Sequence, residues 1–263
     1  MMRTVNEIRA RIEAQFPLSY AMSWDNPGLQ VGSGKREVTR VMLALDATDE
    51  VIDEAVRVGA ELLLTHHPMI FKSVAKVNDE SAVGRRILKL VQHDISYYAM
   101  HTNFDVGPGG MADLVAERMG VVVQGPMEIT AQDGETPIGL GFVGLLADGP
   151  LGAEALALRI KQQFSIPSVV YYDGGREIRK IAVCPGSGRG LYELARKAGA
   201  DAYVTGDMGH HDGIDAVEDG VTLIDAGHFG LEHIYVEAMH AFLGREFPEL
   251  QVFENLTDLR KTV

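Results

Sequence analysis

Three stretches of this sequence carry an apolar run into side chains that can bind a metal ion. Leu62-Leu63-Leu64 leads into Thr65-His66-His67-Pro68. Tyr97-Tyr98-Ala99-Met100 leads into His101-Thr102-Asn103-Phe104-Asp105. Val221–Ile224 leads into Asp225-Ala226-Gly227-His228, with Glu232 one helical turn further on. Neutral imidazole is the commonest metal ligand. Three imidazoles and two carboxylates exceed what one tetrahedral zinc takes; they suit two ions held close together, with a carboxylate or water between them. Singly, each residue has a plainer role. Asp105 can cap the glycine-rich turn Gly107-Pro108-Gly109-Gly110, Glu232 falls in a helix's first turn where the dipole favours an anion, and adjacent histidines can be ordinary loop residues. The metal reading rests on their meeting at three strand ends, since parallel strands place their carboxyl ends along one edge.

The elements that must position these groups are those of an α/β protein. Val38–His67 lies over Ile178–Asp207 without a gap: Val41-Met42-Leu43-Ala44 falls on Ile181-Ala182-Val183-Cys184, Gly59-Ala60-Glu61 on Gly199-Ala200-Asp201, and Thr65 on Thr205. Each copy reads as strand, helix, strand, a βαβ unit with parallel strands. The periodicity adds helices at Ser81–Gln92, Asp113–Met119 and Glu232–Phe242 and strands at Ile95–Met100 and Val221–Ile224. The expected architecture is two similar, internally duplicated α/β domains with mainly parallel sheets and a metal site in the cleft between them. Residues 1–125 form the first domain, completed by 224–263, and residues 126–223 form the second. The repeat sets His66-His67 against Gly206-Asp207, so Asp207 and His211 are expected near the metals, with His211 as a proton-transfer or phosphate contact. A loop histidine without a role is the alternative. Cys184-Pro185-Gly186-Ser187-Gly188-Arg189-Gly190 lacks the full dinucleotide spacing and reads as a tight strand-to-helix turn.

Composition narrows the function classes. The net charge of −13 argues against a non-specific nucleic-acid binder, which needs basic surface. It leaves room for a small anionic substrate, because bound cations invert the local field. Cys184 is the only cysteine, so no intrachain disulfide can form and a reducing compartment is expected. Met1–Phe16 lacks a signal-peptide core, and no apolar run reaches the ~20 residues that span a bilayer. The expectation is a cytoplasmic protein with no membrane partner.

Ser23-Trp24-Asp25-Asn26-Pro27-Gly28-Leu29-Gln30-Val31-Gly32, Thr65-His66-His67-Pro68, His101-Thr102-Asn103-Phe104-Asp105, Thr205-Gly206-Asp207 and Asp225-Ala226-Gly227-His228 with Glu232 resemble the motifs of the Nif-three-like dinuclear metal centre proteins, the GTP cyclohydrolase 1 type 2 homologues. The resemblance spans nearly the whole chain and fits the compact form, without the domain that some members insert. It implies a toroidal homohexamer with two divalent ions per subunit (zinc, iron, manganese or cobalt), held by His66, His67, Asp105, His228 and Glu232. His101 and His211 match histidines near the family's site that are not ligands, and are the catalytic candidates. The implied activity is metal-dependent hydrolysis of a nucleotide or related purine. A non-catalytic, metal-stabilised interaction or regulatory protein is the alternative. Phe142 stands where members commonly carry arginine, which puts an anion contact there in doubt.

Overall fold

The computed structural model describes residues 2–261. The chain forms two compact units, one running up to Phe104 and taking in Tyr235–Thr257, the other running from Asp105 to Ile234 and taking in the residues from Asp258 onward.

The first unit opens with β1 (Arg3–Thr4), which pairs with β3 (Glu37–Val38), and α1 (Val5–Gln15) between them. Thr4 and Glu7 form a capping box that closes the amino end of α1. β2 (Gly28–Val31), β4 (Arg40–Ala44), β5 (Leu62–Thr65) and β6 (Ser96–Ala99) build the sheet. β4, β5 and β6 are parallel neighbours, buried almost throughout, as their unbroken apolar runs require of strands covered on both faces. α2 (Asp49–Val58) makes the crossover between β4 and β5. Thr48 accepts the Val51 N–H at its start, and Gly59, at φ 67°, turns the chain at its end. α3 (Ala82–Gln92) starts from Ser81, which accepts the Gly84 N–H. α2 and α3 cover one face with Val51, Ile52, Ala55 and Leu90 packed against Met42, Leu63 and Tyr97. A five-residue helix, α4 (Thr102–Val106), follows β6, and the boundary between the units falls inside it.

The second unit contains α5 (Met111–Met119), β7 (Val121–Gly125), the hairpin of β8 (Glu128–Asp133) and β9 (Thr136–Leu140), β10 (Phe142–Leu146), α6 (Ala153–Gln163), β11 (Val170–Tyr172) and β12 (Lys180–Ser187). α7 (Tyr192–Lys197), β13 (Ala202–Gly206), α8 (His210–Glu218), β14 (Thr222–Asp225) and α9 (His228–Glu232) complete it. Its six-stranded sheet has the order β11-β14-β13-β12-β10-β7. This corrects the expectation of a mainly parallel second sheet. Only β12-β13 and β13-β14 pair in parallel, while β10, β7 and β11 are attached antiparallel. The two parallel pairings are the ones joined by crossovers that carry a helix, α7 between β12 and β13 and α8 between β13 and β14.

α10 (Ile234–Glu246) and β15 (Gln251–Asn255) return to the first unit. β15 lies parallel to β4, so the finished sheet reads β15-β4-β5-β6-β2 with only β2 antiparallel. The division at Phe104/Asp105 precedes the position expected near 125, because α5 packs on β7, β10 and β12. The return comes at Tyr235 rather than 224, because α9 packs on β12 and β13. Asp105, His228 and Glu232 therefore belong to the second unit. Among the described residues, no helix is long and apolar enough to cross a membrane.

Candidate functional site

In the first unit, the turn after β5 is held by the main chain on both sides. The His67 N–H donates to the Leu45 carbonyl (3.0 Å), and the His67 carbonyl accepts from the Tyr97 hydroxyl (2.7 Å) and from Thr65 (2.9 Å). The two imidazoles leave this turn differently. His66 is fully buried, its ring set against Tyr235 (5.3 Å between centroids) and Phe104 (6.1 Å). His67 is partly exposed, and its Nδ1–H donates to Asp46 Oδ1 at 2.8 Å. His101 joins them from the end of β6: ligand atoms of His66, His67 and His101 all lie within 4.8 Å of one another.

His101 is fixed by Asp25. Its Nδ1–H donates to Asp25 Oδ1 (2.7 Å), while Asp25 Oδ2 accepts from the N–H and the hydroxyl of Thr102 (3.0 and 2.5 Å). Burial alone would raise the Asp25 pKa. The hydrogen bond and charge of His101, with the two bonds from Thr102, outweigh it and hold the carboxyl at about 2. Asp25 is thus a carboxylate at every ordinary pH.

In the second unit, His228 and Glu232 stand one turn apart on α9. The His228 Nδ1–H donates to Asp207 Oδ2 (2.7 Å), and Nε2 lies 3.0 Å from Glu232 Oε2. Asp207 reaches this position by adopting φ 61°, which side chains other than glycine rarely take. Asp225 shapes the surrounding turns by accepting the N–H groups of Met208 and Gly227. Two glycines make room. A Cβ on Gly186 would fall 2.2 Å from Glu232 Oε1 and 3.3 Å from His228 Nε2, and one on Gly206 would fall 2.5 Å from the His228 nitrogen. Asp105 and Glu232 both act on the Cys184 thiol, whose pKa is driven far up by burial first and by these two carboxylates next. Cys184 is a buried thiol of the core. His211 is exposed in the first turn of α8, with its ring against His210. In the glycine-rich turn after Cys184, the Gly188 N–H is taken by Thr205 Oγ1 at 3.0 Å, as a strand-to-helix turn needs and a phosphate cradle does not.

His228 Nε2 carries a lone pair once Nδ1 carries the proton, and Glu232 Oε2 offers another. Two acceptors 3.0 Å apart attract only through a shared cation, a proton or a metal ion, so the donor set fits a metal. Sequence reasoning missed Asp46, which fixes the His67 ring, and gave Asp25 no role. The signal for Asp46 was its place: it is the second residue past β4, where a strand end meets the neighbouring strand end that carries His67.

Comparison with known proteins follows the same lines. The family profile described as Duf34/NIF3 (NGG1p interacting factor 3) matches residues 3–258. A Clostridium perfringens protein named GTP cyclohydrolase 1 type 2 homolog is 37% identical over 229 residues, which cover 87% of this chain and 86% of the relative. The crystal structure of a Staphylococcus aureus hypothetical protein aligns with a TM-score of 0.88 at 32% identity, covering 99% of each chain. A Bacillus cereus protein related to NIF3 shares the fold, with a TM-score of 0.89 at 23% identity over 100% of this chain and 99% of its own.

Proposed function

This chain belongs to the Duf34/NIF3 family, and on that premise we propose that it binds two metal ions and hydrolyses a nucleotide or related purine. In this reading His66, His67, Asp105, His228 and Glu232 hold two divalent ions of zinc, iron, manganese or cobalt. The observation that carries it is the common build of His67 and His228. In each, a carboxylate takes the Nδ1–H at 2.7–2.8 Å, which fixes the tautomer and ring and raises the basicity of Nε2. That arrangement is the usual support of a metal-ligating histidine. Bound ions supply Lewis-acid polarisation of the electrophile and a water acidic enough to attack near neutral pH. His101, steadied by Asp25, accepts or returns a proton at Nε2. The name carried by the Clostridium perfringens relative supports a GTP-like substrate.

The two βαβ units are read here as copies of one ancestral unit. Support comes from their registers. Val41 pairs with Leu62 and Ile181 with Ala202, a constant offset of 140 positions (181 less 41, 202 less 62). The homohexamer belongs to the same proposal and is checked by light scattering on the purified protein. A second reading, metals that stabilise without catalysing, is favoured by the burial of His66 and Glu232 (0% and 3% exposed), since ions held there add their binding energy to folding.

Elemental analysis of protein purified without chelator, beside a His67→Ala, Glu232→Ala double variant, tests the proposal. Two transition-metal ions per chain, lost in the variant, with turnover of GTP or another nucleotide, is the expected result. Two ions with no turnover across a nucleotide panel establishes the second reading. No ion after dialysis against zinc or manganese overturns both.

A further inference from the structure

Trp24 and Phe71 are large aromatic side chains left in solvent, 54% and 45% exposed. They are neighbours, with ring centroids 5.9 Å apart and planes inclined at 54°. Both also border His101, at 6.2 Å and 6.3 Å. His101 in turn is 5.6 Å from His67 and 5.3 Å from His66. The two rings therefore stand at the edge of the histidine cluster within the first unit.

Their exposure is built, not incidental. Phe71 follows Ile70, whose N–H donates to Gln30 Oε1 (2.9 Å) and whose carbonyl accepts from Gln30 (3.1 Å) and Asn26 (2.6 Å). Trp24 precedes Asp25, the fully buried carboxylate that holds His101 and Thr102. Both rings thus project from backbone anchored on its adjoining residue, which spares a ligand the cost of ordering the main chain. Two held aromatic faces in water, opened toward a chemical centre, are what a flat π-system binds by stacking on one ring and meeting the edge of the other.

We infer that Trp24 and Phe71 form a subsite that stacks a planar heteroaromatic ring of the substrate beside His101. Only the placing of the reactive end of the ligand rests on the metal reading. The stacking itself needs no metal.

Trp24 is the only tryptophan in the chain, so its emission reports on this subsite alone. Full-length protein stripped with EDTA is titrated with guanosine 5′-monophosphate, with ribose 5-phosphate as the ring-free control. Saturable quenching by the nucleotide, none by ribose 5-phosphate, and a Kd raised about tenfold in Phe71→Ala are expected from the loss of one stacking face. For Trp24→Leu, equilibrium dialysis replaces fluorescence, and at least a tenfold weaker Kd is expected, with Trp24→Phe recovering part of it. Equal quenching by ribose 5-phosphate, or no quenching at all, overturns the proposal. So does a Trp24 emission shielded from acrylamide in the unliganded protein. Metal content separates the two readings. Two ions retained in Phe71→Ala without any nucleotide quenching in the parent removes the subsite alone; nucleotide quenching in a protein that never takes up metal keeps the subsite and removes the metal centre.

Discussion

In the first βαβ unit β5 ends in Thr65-His66-His67; in the second, 140 positions on (205 less 65), β13 ends in Thr205-Gly206-Asp207. The starts of the strands that lead to these tips are held alike. Glu61 accepts the N–H groups of Thr39 and Arg40, and Asp201 those of Arg179 and Lys180. Gly59 and Gly199 turn the chain at φ 67° and 70°. The tips themselves have exchanged chemistry. Position 67 offers an imidazole steered by a carboxylate, and position 207 offers a carboxylate that steers an imidazole. Position 66 fills its space with a buried ring, whereas at Gly206 the main chain of His228 already occupies that space. One frame carries two complementary sets of side chains, because the sheet constrains the strands and leaves the strand ends to vary.

The largest break in this comparison comes from Gly206→Ala. Its Cβ would meet backbone atoms of Gly227 and His228 at 2.5–2.7 Å, atoms that cannot swing aside. A loss of about 3 kcal/mol in denaturant unfolding is expected, together with weaker metal uptake. Next comes Asp25, a buried carboxylate outside the repeated stretch that fixes a histidine of the first unit alone. Its folded pKa of about 2 lies below the ordinary 3.8, so its contribution is complete above pH 4 and vanishes as the pH falls toward 2. In EDTA-treated protein, Asp25→Asn should cost roughly 2 kcal/mol at pH 7, and the gap from the parent should close between pH 4 and pH 2 in acid unfolding curves.

Asp46→Asn and Asp207→Asn sharpen the exchange of roles. Each leaves its histidine in place without the carboxylate that orients it, and each should weaken metal affinity about 10- to 100-fold in competition with a chromophoric chelator. An effect confined to one of the two would show that only one tip serves the metals. The smallest effect is expected of the paired anchors. Glu61→Gln and Asp201→Asn each weaken charge-assisted bonds to two backbone N–H groups, about 1 kcal/mol in urea melts, with the larger loss expected at Glu61, which also holds the Thr39 hydroxyl and Arg40.

The strands and helices that carry the site were legible in the sequence, because buried parallel strands write themselves as apolar runs. The helix expected at Ser81–Gln92 is α3 with Ser81 as its cap, and the strand expected at Val221–Ile224 is β14 shifted by one residue. The antiparallel part of the second sheet was not legible, since short strands such as Val170–Tyr172 give periodicity no length to act on. The histidines stood out by type and place. Asp46 did not, because an aspartate after a strand is ordinary turn chemistry until its partner across the sheet is known.

The strand order of the first sheet also sets a timetable for synthesis. β4 has residues 62–65 on one side and residues 251–255 on the other, whereas every strand of the second sheet lies within residues 121–225. As the ribosome releases the chain from its amino end, the second sheet can close while the outer edge of β4, with its apolar Val41-Met42-Leu43-Ala44, still lacks its neighbour. The earlier-made unit is therefore the later-finished one. A nascent chain stalled before residue 251 leaves that edge of β4 unpaired.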